Sequence, residues 1–273
     1  MKYTYWVLAS LAALTLTGCL EGNITTEELC QKHPKLKCEQ LNMDDGQCRI
    51  PRTNLVWHRF ELLKSPTEAN KVTEYGLVAE YRKCLELASQ ISPIDQSELK
   101  RKRFESLVNS IDELDLIVAE LQGSDDPATL YFLWTQTGDE QARRQFLQKE
   151  GKPELNTPEM QYALATFYTG RDPQKTLVLL NNALSMSNET NVNPVILKSM
   201  ASINQGLGNK ERAYIWAMVA KRFDVPLADE SALKRMYNFA DPEKYDELDD
   251  LAKSLTKSIK AGTYSSSMLP TPQ

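Results

Sequence analysis

The side chains of this chain that could do chemistry are few, and their spacing favours covalent stapling over catalysis. Only two histidines occur, His33 and His58. His33 precedes Pro34 in a cysteine-rich stretch, and His58 stands beside Trp57. Both read as structural histidines, satisfied within the fold or exposed. There is no His-Glu-x-x-His pair for zinc, no glycine-rich phosphate loop and no Gly-x-Ser-x-Gly elbow. The acidic pairs Asp44/Asp45 and Asp249/Asp250 fall in a turn and on a helix, where surface solvation explains them. Asp44-Asp45-Gly46 lacks the alternating ligands and the closing glutamate of a calcium loop. The sequence therefore calls for no metal and no cofactor, and for a protein that is not an enzyme. The rival class is a hydrolase of envelope glycan, which needs two carboxyls about 5–10 Å apart in a cleft.

Cysteine is the informative residue. Cys19 closes Leu16-Thr17-Gly18-Cys19, after Lys2 and a short apolar run from 6 to 16. That arrangement resembles a bacterial lipobox: residues 1–18 are a lipoprotein signal peptide, and Cys19 carries fatty acyl chains such as palmitate. The run is shorter than the about 20 residues of a membrane-spanning helix. Two or more acyl chains anchor firmly, at about 0.8 kcal/mol per buried CH₂. Leu20 follows the cysteine where an inner-membrane retention signal would have Asp, so the expected location is the outer membrane with the body in the periplasm.

In that oxidising compartment Cys30, Cys38, Cys48 and Cys84 read as two disulfides. Seven and nine residues separate the first three, unlike the close pairs of zinc sites. Three connectivities are open. Cys30–Cys38 with Cys48–Cys84 is preferred, because Cys84 shares a helical face with Leu77, Tyr81 and Ala88.

The elements that must position these residues are helical almost throughout. Thr25-Thr26-Glu27-Glu28 has the form of a capping box. Helices are expected at 54–64, at 65–90 and at 95–122. Val72, Tyr75, Val78, Ala79 and Leu85 form the apolar stripe of the second. Phe104, Leu107, Val108, Ile111, Leu114, Val118 and Leu121 form that of the third. The two long helices make a hairpin, broken at Ser92-Pro93. Lys100-Arg101-Lys102-Arg103 fans around the helix and reads as solvated, with contact to an anionic membrane surface as the rival. Gly123 to Pro127 marks a boundary between two parts of the chain.

Beyond it, shorter helices recur with small residues at matching places. Thr176, Leu180 and Ala183 correspond to Ala213, Ala217 and Ala220, 37 residues on. Leu130, Gly138, Ala142 and Phe146 form a weaker copy before them. Over about 127–226 this resembles tetratricopeptide-like repeats, in which small residues let paired helices approach. Lys149 stands where that pattern has a small residue. The first helix of each such hairpin lines a concave surface, which would place Tyr131, Trp134, Thr135, Gln161, Tyr168, Lys198, Ser202 and Gln205 along a partner-binding groove. The competing reading makes Tyr131, Trp134 and Tyr168 core. A capping helix follows at 241–260.

The expected fold class is therefore all-α. The organisation is a signal peptide at 1–18, a tether and disulfide-stapled helical region at 19–123, tetratricopeptide-like repeats with a capping helix at 124–261, and a disordered tail at 262–273. The formal charge of −5 argues against nucleic acid as a partner.

Asp45-Gly46-Gln47-Cys48-Arg49, Val56-Trp57-His58-Arg59, Lys83 to Ala88, Asp125-Asp126-Pro127 and Gln161 to Tyr168 carry a wider resemblance. On these segments the chain is similar to a gammaproteobacterial lipoprotein family known only as a domain of unknown function. The resemblance implies the location and an all-helical fold, and supplies no activity or site residues. The expected function is to hold an unidentified periplasmic or outer-membrane protein partner. A purely structural lipoprotein that contacts the membrane surface is the remaining alternative.

Overall fold

A computed structural model describes residues 24–91 and 97–270. Cys19 and the Ser92-Pro93 break lie outside those residues. Among the described residues the regular structure is all helical: α1 (Thr26–Lys32), α2 (Arg49–Lys64), α3 (Glu68–Ala88), α4 (Ser97–Leu121), α5 (Pro127–Thr137), α6 (Glu140–Gln148), α7 (Pro158–Tyr168), α8 (Pro173–Ser185), α9 (Pro194–Gly206), α10 (Lys210–Lys221), α11 (Glu230–Tyr237) and α12 (Glu243–Lys260), with short 3₁₀ turns between some of them. None is long and apolar enough to cross a membrane. The chain divides into two compact units, 1–122 and 123–273.

In the first unit the α1 start is the expected capping box, with Thr25 and Glu28 each accepting from the other's backbone N–H. α3 packs along α4 and α2 along α3. The disulfides are Cys30–Cys38 and Cys48–Cys84. The second ties the N-terminal end of α2 to α3, and Cys48 sits in the left-handed region at φ 58°. His58 Nε2 lies 2.7 Å from the Asn70 carbonyl oxygen, a structural contact.

The buried face of α4 differs from its apolar stripe. Arg103, Ser106, Ser110 and Glu113 are buried beside Leu114, Ile117 and Leu121. Phe104, Val108 and Ile111 are exposed, Phe104 at 61%. Two ion-pair networks account for the rotation. Arg103 embraces Asp45 through Nε and Nη2 and donates from Nη1 to the carbonyls of Ala88 and Ile91. Arg59 donates to Glu74 at 2.9 Å and to the Leu36 carbonyl at 3.0 Å, and lies 3.4 Å from Glu113. Lys37 completes that network on Glu113 at 3.0 Å. A buried charge left alone is costly, so pairing overrides the apolar stripe. Asp45 and Arg103 are thus interior residues, against the expectation of solvated ones. Burial pushes the Asp45 carboxyl up, but hydrogen bonds from Arg103 and the Gln47 N–H outweigh it and hold the group below the ordinary carboxylate range.

In the second unit consecutive helices pack as pairs, α5 with α6, α7 with α8 and α9 with α10, in a manner consistent with a solenoid. Four of these helices start alike, with a capping side chain followed by proline: Asp126-Pro127, Thr157-Pro158, Asp172-Pro173 and Asn193-Pro194. Proline has no N–H to lose at that position, and its φ already suits a helix. Gly138 and Gly208 take φ values of 72° and 79° in the turns that follow α5 and α9, a conformation glycine adopts without steric cost. Thr176, Leu180 and Ala183 are buried, as are Ala213, Ala217 and Ala220. From Ala213 to Ala220 every residue of α10 is buried, because it is enclosed by α9 and α12. A helix apolar on all sides belongs in a core.

The segment expected as a disordered tail is instead structured as far as residue 270. Tyr264 is 4% exposed, stacks edge-on to Trp216 at 5.9 Å and donates to Asn181. Arg212 donates to the Pro270 carbonyl from Nε at 2.8 Å and from Nη2 at 2.6 Å. One buried aromatic and one charge-assisted clamp outweigh a composition rich in serine and proline.

Candidate functional site

The eight residues expected along the groove lie on the first helices of the three pairs. Tyr131, Trp134 and Thr135 are on α5, Gln161 and Tyr168 on α7, and Lys198, Ser202 and Gln205 on α9. The aromatic members come together as a cluster. The rings of Tyr131 and Trp134 meet at 5.7 Å, and each also meets Phe146 of α6, at 5.7 and 6.1 Å. Trp134 reaches Phe167 at 5.9 Å, and Phe167 reaches Tyr168 at 5.0 Å. These edge-on and tilted contacts contribute about 0.5–1.5 kcal/mol each beyond area burial. Tyr131, Trp134 and Tyr168 are half-buried, so each gives one side to packing and keeps another open.

The five polar members divide differently. Gln161 donates to the Leu155 carbonyl at 2.9 Å and accepts from Asn182 at 3.0 Å, so its amide is occupied within the fold. Lys198, Ser202 and Gln205 are exposed at i, i+4 and i+7, which places them on one face of α9. Thr135 is exposed and donates to the Tyr131 carbonyl at 2.9 Å.

Sequence reasoning missed the charged flank of the cluster. Tyr168 donates to Glu150 at 2.6 Å, Glu150 pairs with Lys175 at 2.6 Å, and Lys175 sits 3.8 Å above the Tyr168 ring. Burial pushes the Glu150 carboxyl up, but the bonds from Lys175 and Tyr168 prevail and hold it below its ordinary value. Arg171 lies 4.5 Å over Phe167. The signal available in sequence was the run of aromatics at 167–168 with Arg171 and Lys175 one and two turns on. Lys149, out of place in the repeat pattern, is buried and pairs with Asp125 and Glu154, both at 3.0 Å.

Two small cavities border the expected face. One of about 170 Å³ is lined by Tyr131, Met160, Tyr162 and Ile196, and one of about 180 Å³ by Thr169, Thr176, Ile203 and Leu207. Among the described residues no group of three or more His, Cys, Asp or Glu side chains is placed to hold a metal ion. What the arrangement offers is a ring cluster with open edges, two shallow apolar depressions and a polar helix face. That combination suits contact with a polypeptide: rings supply area at low entropic cost and amides pair with backbone groups.

The chain matches no curated protein and no solved structure. Residues 16–218, well over half of the chain, match the family DUF2989, described as proteins of unknown function, and the chain belongs to that family.

Proposed function

We propose that the chain is a lipid-anchored protein of the outer membrane, its body in the periplasm, which holds a protein partner through tetratricopeptide-like repeats. The observation that carries the adaptor reading is the agreement of sequence recurrence with burial. Positions 176, 180 and 183 and positions 213, 217 and 220 are small or apolar, 37 residues apart, and all are buried. Repeats that spend these positions on packing leave the concave, solvent-facing side of their first helices free to vary, and such concave surfaces are binding surfaces in solenoids. The lipobox-like Leu16-Thr17-Gly18-Cys19 and the two disulfides support an envelope location.

The test is co-purification from detergent-solubilised membranes, comparing the wild type with Ser202→Arg/Gln205→Glu. Both positions are exposed, so the fold should stand, as circular dichroism can verify. A defined partner that is lost at least ten-fold in the double variant is the expected outcome. A partner set unchanged by it, or no reproducible partner, overturns the adaptor reading.

A further inference from the structure

In the first unit a groove of about 590 Å³ opens between the N-terminal end of α1 and the first two turns of α2. Its walls divide by chemistry. Ile24, Ile50 and Trp57 supply apolar surface and are exposed, at 42%, 70% and 37%. Trp57 donates from Nε1 to the Thr26 hydroxyl at 3.2 Å, which orients the ring. Arg49 and Arg52 supply positive charge, against Glu27 on the same lining.

Arg52 is the unusual member. It is 4% exposed, yet its donors go to neutral oxygens: Nη1 bonds to the carbonyls of Asn42 and Asp45 and to the Asn42 side chain. Asp45 is committed to Arg103, and the other carboxylates near Arg52, Glu27 and Asp44, act on it through space. Arg52 Nε is buried and has no hydrogen-bond partner among the described residues. A guanidinium in a protein stays charged, and a buried charge is normally paired. Among the described residues Arg52 is therefore a cation on the groove lining with no carboxylate in hydrogen-bond contact, beside an exposed arginine and an apolar wall.

We propose that this groove takes an anionic phospholipid, with the phosphate at Arg49 and Arg52 and the acyl stem along Ile24, Ile50 and Trp57. Tryptophan and aliphatic side chains with arginine favour the membrane interface, and arginine pairs well with phosphate. Chain length places the ligand within reach. Ile24 stands only five positions after Cys19, so an anchored Cys19 keeps the groove within about 18 Å of the lipid attachment point. That second argument rests on the lipid-anchor part of the proposed function, whereas the chemistry of the groove does not.

The experiment keeps the two apart. The purified full chain is titrated with dihexanoyl phosphatidylglycerol below its micelle concentration, with dihexanoyl phosphatidylcholine and glycerol 3-phosphate as controls. The readout is the fluorescence difference between the wild type and Trp57→Phe. Saturable binding of phosphatidylglycerol is expected, at least ten-fold weaker for both controls, and at least ten-fold weaker in Arg49→Glu and in Ile50→Asp. Both substitutions are at exposed positions, so loss of fold does not confuse the result. Equal response to phosphatidylcholine, equal response to glycerol 3-phosphate, no saturable response, or indifference to both variants overturns the proposal. The mass of the mature N-terminal peptide tests the anchor by itself, and an unmodified Cys19 overturns the anchor without touching the titration.

Discussion

At the scale of the residue, the interior charges of the first unit decide which way its helices face. Asp45→Asn removes the carboxylate that neutralises Arg103 and leaves a buried cation, so it should cost about 3–5 kcal/mol in urea unfolding. The pH dependence has a definite sign. Asp45 is held below 3.8 in the folded chain, so its contribution is complete above the unfolded value and is lost as pH falls through the lower folded value. The wild type should therefore lose stability on acidification more steeply than Asp45→Asn in that window. A parallel fall would refute the role of the pair. In the second unit Trp134 is part of the fold as well as of the candidate face. Trp134→Ala should cost about 2–3 kcal/mol, somewhat less than a fully buried tryptophan. A cost below about 0.5 kcal/mol would show that the ring belongs to the surface alone.

At the scale of the element, helix identity was legible because local signals agree. Thr25 and Glu28 form the capping box their spacing announces, and the helices expected at 65–90 and 95–122 are present within a few residues at 68–88 and 97–121. The preferred disulfide pairing is also the one observed. The facing of α4 was not legible. Hydrophobic periodicity points to Phe104, Val108 and Ile111, but burial is set by partners distant in sequence, Asp45 and Arg59, that no local pattern reveals. The helix α11 was missed for a related reason: it is eight residues long and its packing rests on Leu233 and Tyr237. The ordered segment after residue 261 was hidden by its composition, since one tyrosine and one backbone carbonyl hold it.

Two predictions belong at this scale. Replacing Cys48 and Cys84 together by serine opens a loop with a sequence separation of 36 and should cost about 3–4 kcal/mol in the loop-entropy account. Unchanged denaturation midpoints would contradict it. Truncation after residue 261 should lower the melting temperature by exposing the Trp216 face that Tyr264 covers. A truncated chain that melts with the wild type would show the segment to be dispensable.

At the scale of the whole molecule, the two units have different grammars. The first is a small set of helices closed by two disulfides and interior ion pairs, with an amphipathic groove beside the start of α1. The second is a succession of helix pairs with capped, proline-started helices and a buried apolar run, 213–220, within α10. Repeat geometry put the eight candidate residues on the first helices of three pairs, and they do lie on α5, α7 and α9. Its chemistry was not, since the fold uses Gln161 internally and adds Glu150 and Lys175 to the flank of Tyr168.

The central claim is that the exposed face of α9 carrying Lys198, Ser202 and Gln205 meets a protein partner. Its most direct test is a photo-crosslinking amino acid placed at Gln205 in the full-length protein in cells, with Val178 of α8 as an exposed control position. The account predicts a discrete crosslinked species at 205, absent at 178 and abolished by Ser202→Arg. No crosslink at 205, or the same species at both positions, would contradict it.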